Sequence, residues 1–207
     1  MLFLIYSTHK KAKKQLFNKQ LYKCRNTSLF YIQTLANISK KMIIAIDVHY
    51  RELAKTVAIS FKDWESEEVM NIKQSFSNYS SEYISGEFYK RELPCIEGIL
   101  NEFNKTEIEL IIIDGYVTLN EEGKFGLGAY LFEKLNSKIP IIGVAKKKFS
   151  EASNNHIKIY RGISKNPLFI TSIGIDLKKS AYLIKNMKGK YRIPDLLKLV
   201  DQKSKEK

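Results

Sequence analysis

The run IELIIIDG, residues 108–115, decides the fold class. Its apolar residues do not alternate with polar ones, as they would on a strand with one wet face. A near-continuous run of this kind marks a strand covered on both faces, the usual state of parallel sheets. A second such run, IPIIGVAK at 139–146, follows closely, and the apolar spacing over Gly128–Leu135 between them reads as a short helix. Strand, helix and strand in that order make a parallel βαβ unit. Upstream, MIIAIDVHY (42–50), LAKTVAISF (53–61) and Val69–Phe76 follow one another across short connections, the pattern of a three-stranded antiparallel meander. Ile96, Ile99, Leu100 and Phe103 recur at i, i+3, i+4 and i+7, one face of a helix with Pro94 near its first turn. Downstream, Ile157–Gly162 and Leu168–Ile173 read as short strands, and Ala181, Ile184 and Met187 as one face of a closing helix. The expected architecture is α/β: a meander joined to parallel βαβ strands with flanking helices.

The 207 residues suit one domain and hold enough apolar side chains, 44%, for a real core. Disorder throughout is excluded by that content and by only 14 Gly and Pro residues. No apolar run reaches the roughly 18 residues of a membrane span. The two cysteines, Cys24 and Cys95, make no disulfide framework and point to a reducing, cytoplasmic setting. A net charge of +13 suggests a polyanionic partner, but that charge is unevenly placed. Residues 1–41 hold nine Lys/Arg and no acid, whereas the remaining 166 hold 26 basic and 22 acidic side chains. The expected organisation is therefore a basic extension, 1–41, outside the fold, and a working domain, 42–207, with Met42 as its natural first residue. A DNA-binding tail and an amphipathic targeting peptide are the alternatives for the extension.

Asp47 closes the run IIAID and Asp114 closes LIIID. A carboxylate at the C-terminal end of a buried strand stands at the rim of the sheet, where open α/β folds bind ligands. If the two strands are neighbours, these acids approach and repel each other unless a cation lies between them. Mg²⁺ suits such a place, since it takes oxygen ligands and keeps waters for the remaining positions. Glu92, just before the Pro94 helix, is a candidate third ligand. His49, two residues beyond Asp47, is a candidate for orienting water.

Several motifs then become recognisable: AIDVHY on the first strand, YISGEFYKRE, IIIDG, IGVAKKKF, NPLFITS and SAYLIKNMKGKYRIP. From Met42 to about Asp201 the chain resembles the endonuclease V family of deoxyinosine-directed nucleases. The resemblance implies a ribonuclease-H-like fold and a DNA repair activity: Mg²⁺-dependent hydrolysis on the 3′ side of a deaminated purine, leaving 3′-hydroxyl and 5′-phosphate ends, with Mn²⁺ as a substitute metal. It places the catalytic and metal-holding carboxylates on Asp47, Glu92 and Asp114, and a phosphate-neutralising lysine on Lys146. It makes Tyr83-Ile84 a wedge that fills the gap left by a flipped base, and Gly86 and Gly126 glycines of the base pocket. The implied partner is DNA, bound by a monomer without an obligatory protein partner. A related nuclease on inosine-containing RNA or structured DNA, and a catalytically weakened nucleic-acid-binding member, stay open as alternatives.

The chain also departs from the family pattern. Glu82 and Ser85 flank the wedge where the family has prolines, Tyr116 stands where a histidine is common, and Glu121-Glu122 replaces basic residues. In an ungapped alignment from NPLFI, the family's metal-proximal histidine falls on Gly174, with Asp176 nearby as a substitute.

Overall fold

The structure, a computed structural model, describes residues 41–78, 88–149 and 155–206. Its strands are β1 (Met42–Tyr50), β2 (Ala54–Phe61), β3 (Asn71–Ser77), β4 (Ile108–Asp114), β5 (Ile141–Ala145), β6 (Ile157–Ile159) and β7 (Leu168–Ile173). Its helices are α1 (Tyr89–Leu100), α2 (Leu127–Lys134), α3 (Leu177–Asn186) and α4 (Asp195–Lys205). All seven strands join one sheet in the order β3-β2-β1-β4-β5-β7-β6. β1, β4 and β5 run parallel at its centre, and the β1-β2-β3 meander and the β7-β6 pair extend it antiparallel on either side.

Period-two alternation sorts the strand residues between two cores. Ile44 and Ile46 of β1 and Ile111 and Ile113 of β4 pack under α1 and α2, against Leu93, Ile96, Ile99 and Leu131. Ile43, Ala45, Leu110 and Ile112 face the opposite layer, where α3 and α4 supply Ala181, Ile184, Leu196, Leu197 and Val200. The near-continuous apolar runs at 108–113 and 139–145 thus have their cause: these strands are sandwiched between two helical layers. The same parity assigns Asp47 and Asp114 to the α3–α4 side.

Two expectations need correction. Helix α1 begins at Tyr89, so Pro94 stands inside it rather than in its first turn. The chain also does not close with α3: a further helix, α4, follows the 187–194 linker. Among the described residues, no helix is long and apolar enough to cross a membrane.

Candidate active site

β1 and β4 pair in register, with Ile46 opposite Ile113, which sets Asp47 and Asp114 side by side where the parallel pairing ends. Helix α4 lies across this edge and adds a third acid. Oxygens of Asp47, Asp114 and Asp201 all lie within 4.8 Å of one another. Asp201 was missed in the sequence reading, yet a signal was there. Leu197, Val200, Asp201 and Ser204 occupy i, i+3, i+4 and i+7, so two polar residues continue the buried stripe of an amphipathic helix. Ser204 is itself buried, and its hydroxyl donates to Oδ2 of Asp47, tying α4 to the end of β1.

Lys146, just past β5, enters the cluster from the other side. Its Nζ lies 2.7 Å from Oδ2 of Asp114 and 2.5 Å from Oδ1 of Asp201. Burial would depress this ammonium, but the carboxylates of Asp114 and Asp201 outweigh it and hold its pKa well above the ordinary lysine range. Asp201 is held low despite desolvation, by hydrogen bonds from Lys146 and Lys205. Asp47 goes the other way: burial raises it to about 6, Asp114 adds repulsion, and Ser204 and Lys146 offset only part.

Glu92, on α1, comes in from the opposite layer. It is buried at 6% exposure, and desolvation, then the charges of Asp47 and Asp114, push its carboxyl well above the usual range. Four carboxylates therefore converge where two lysines, Lys146 and Lys205, reach them. That excess of negative charge fits a divalent cation. The donor set is entirely oxygen, which suits Mg²⁺ or Mn²⁺ rather than a metal seeking thiolate or imidazole.

Glu92 and Asp114 also border a cavity of about 320 Å³ on the α1–α2 side, walled by Phe88, Tyr89, Tyr116 and Phe149. Gly126 lines it and caps α2. A Cβ there would lie 2.5 Å from the carbonyl oxygen of Tyr116, so only glycine lets the two backbones meet this closely. The Tyr116 hydroxyl donates to the carbonyl of Lys147 at 2.9 Å and accepts from the amide of Phe149. This residue walls the cavity and braces the segment after Lys146.

Gly174 and Asp176 take no part in the cluster. β7 runs antiparallel to β5 with Ile173 opposite Ile141, which puts Gly174 beside Pro140, at the far end of the sheet. Asp176 caps α3 by accepting from the amide of Lys179. The acid sought there is Asp201, in the helix that follows. His49 continues β1 beyond Asp47, and desolvation together with Arg51 and Lys205 lowers its pKa, favouring the neutral ring. Tyr83, Ile84 and Gly86 lie outside the described residues.

A family model described as Endonuclease V matches residues 28–202. The chain belongs to the endonuclease V family, a family of nucleases. Solved structures agree on the fold. Human ENDOV is 20% identical with a TM-score of 0.62, over 79% of this chain and 82% of that one. Endonuclease V of Streptomyces avermitilis is also 20% identical at 0.62, over 80% of each chain. Endonuclease V of Ciona intestinalis, solved with a 24mer DNA containing an inosine followed by a ribo-adenosine, is 20% identical at 0.65, over 79% and 84%. No curated protein matches by sequence. The ribonuclease-H-like fold expected of this family is the one found, with its parallel centre and antiparallel flanks.

Proposed function

We propose that this protein is a Mg²⁺-dependent endonuclease that hydrolyses DNA on the 3′ side of a deaminated purine, leaving 3′-hydroxyl and 5′-phosphate ends. The observation that carries the reading is the convergence of Asp47, Asp114 and Asp201 beside the glycine-lined cavity, in a chain of the endonuclease V family. The DNA-bound Ciona intestinalis structure supports the choice of an inosine lesion.

Asp47, Asp114 and Asp201 would hold the metal, with Glu92 as a further oxygen donor from the α1 side. Bound there, Mg²⁺ would polarise a phosphoryl oxygen and lower the pKa of a coordinated water. The remaining work falls to the chain. Ser204 fixes one oxygen of Asp47 through its hydroxyl. Lys146 stands beside the acids as a cation for the charge that builds on the phosphoryl oxygens in the transition state. The water oxygen bonds to phosphorus as the bond to the 3′ oxygen breaks, and that oxygen leaves with a proton. Tyr83 and Ile84 are assigned to the stack vacated by the lesion, and Gly86 and Gly126 to backbone contact with the extruded base. The aromatic walls Phe88, Tyr89, Tyr116 and Phe149 suit a flat heterocycle.

The test is incision of an inosine-containing duplex with and without Mg²⁺. Wild type should nick only with the metal, and Asp47→Ala and Asp201→Asn should each reduce the rate by at least about 100-fold, the loss expected when electrostatic stabilisation is removed. No nicking by wild type, or undiminished nicking by Asp47→Ala, would overturn the reading. Matched inosine RNA at the same salt decides the nucleic acid preferred.

A further inference from the structure

Charge within the fold is divided. Residues 42–149 carry 13 Lys/Arg against 17 Asp/Glu, whereas residues 155–206 carry 12 against four. The second stretch builds β6, β7, α3 and α4, so the basic side chains gather on one layer and one edge of the molecule.

The linker Met187–Tyr191, between α3 and α4, is unusually well held for a surface segment of sequence MKGKY. Arg161, buried at 6% exposure, gathers its carbonyls together with one from the last turn of α3. Nε donates to Lys185 at 3.0 Å, Nη1 to Tyr191 at 3.3 Å, and Nη2 to Met187 and, at 3.0 Å, to Gly189. Gly162 sits at φ +56°, and a Cβ there would come within 2.3 Å of the Lys190 carbonyl oxygen, so the linker also lies directly on bare backbone.

This frame displays cations rather than burying them. The Nζ atoms of Lys190 and Lys198 lie 5.2 and 5.4 Å from the centre of the Tyr191 ring, which is itself 54% exposed. Among the described residues, neither ammonium has a carboxylate oxygen within salt-bridge reach. Two like charges sharing one ring repel, and a polyanion relieves that repulsion. The surface is also continuous with the acid cluster by two routes. Lys198 precedes Asp201 by one turn of α4, about 5 Å of helix rise. Arg192, next to Tyr191, donates from Nη2 to the carbonyls of Lys146 and Pro167.

We infer that the Arg161-braced linker, with Lys190 and Lys198 at its head, is a rail for the DNA backbone beside the cleaved phosphate. The inference rests on the nuclease reading and adds the path of the substrate. The strand leaves the base cavity on the α1–α2 side, crosses the acid cluster at the sheet edge, and lies along α4 toward α3. Lys190 and Lys198 contact phosphates there, independently of sequence.

The test uses the full chain in EDTA, with a fluorescein-labelled inosine duplex and a matched adenine duplex, titrated over a range of KCl. A K190Q/K198Q chain should bind both about tenfold more weakly at 0.1 M salt, and the slope of log K against log[salt] should fall by about 2, one unit per phosphate contact. A K105Q/K138Q chain is the comparison. These two exposed lysines precede β4 and β5, at the end of the parallel strands away from the acids, and their removal should leave the slope unchanged. A slope for K190Q/K198Q equal to wild type, or a loss matched by K105Q/K138Q, would overturn the rail. Nicking by the same wild-type preparation separates the two readings: cleavage with an unchanged K190Q/K198Q slope sinks the rail alone. A reduced slope without cleavage sinks the nuclease reading alone.

Discussion

At the level of single residues, Asp47 shows how a buried acid burdens the fold that carries it. Its carboxyl is raised from 3.8 to about 6, chiefly by burial and then by Asp114, with Ser204 pulling the other way. The folded state thus holds this proton up to about pH 6, whereas the unfolded chain releases it near the ordinary carboxylate value. Between those points the unfolded state binds fewer protons, so stability falls as pH rises and levels off above about pH 6. The full effect is at most about 3 kcal/mol, from 1.36 kcal/mol per unit. In the metal-free protein, Asp47→Asn keeps an acceptor for Ser204 and removes the charge. It should therefore melt above wild type at pH 7.5, with an advantage that shrinks steadily toward pH 4. Thermal melts in EDTA across that range check this, and a pH-independent difference would show that the charge of Asp47 does not burden the fold. Asp47 and Asp114 were legible in the sequence because each ends an apolar strand. Asp201 was not, because it stands on a helix whose partner at the sheet edge only the tertiary structure supplies.

Among the elements, α4 had the weakest signal and carries the most consequence. The strands declare themselves by apolar runs, and α1 by its i, i+3, i+4 spacing. In DLLKLVDQKSK the apolar stripe breaks off after Val200, where Asp201 and Ser204 take positions that an ordinary amphipathic helix would fill with leucine. The helix is held by Leu196, Leu197 and Val200 against the core beneath α3. Leu197→Ala should cost about 2–4 kcal/mol, as large-to-small core substitutions do. It should also raise the Mg²⁺ concentration needed for half-maximal cleavage, since Asp201 and Ser204 ride on the same helix. Leu131→Ala, in α2 on the other face, should lower the melting midpoint comparably while leaving the Mg²⁺ requirement at the wild-type value. Equal Mg²⁺ curves for the two variants would mean that α4 does not set the metal site. Gly174 marks the opposite limit of sequence reading: an ungapped alignment placed it near the metal, and the antiparallel β5–β7 register carries it to the far end of the sheet.

For the molecule as a whole, the question is how much of the chain the nuclease requires. Among the described residues, both cores are built from strands β1 to β7 and four helices, all from Met42 onward. Asp47, Glu92, Asp114, Lys146 and Asp201 all lie after it. The charge that first suggests nucleic acid is mostly in residues 1–41, yet the fold has its own basic layer at 155–206, so DNA binding does not depend on the extension for its sign. We therefore propose that a chain of residues 42–207 folds with nearly the wild-type melting midpoint and incises an inosine duplex at a comparable rate with saturating Mg²⁺. The family match begins at residue 28, which makes residues 28–41 the segment to examine should the shorter chain fail. A chain of 28–207 run alongside it decides the matter. If 42–207 is insoluble or inactive and 28–207 is sound, those fourteen residues belong to the working domain, and the boundary at Met42 is misplaced. If both cleave as the full chain does, the nine basic residues of the extension act on affinity alone, and their removal should appear only as a shallower salt dependence of binding.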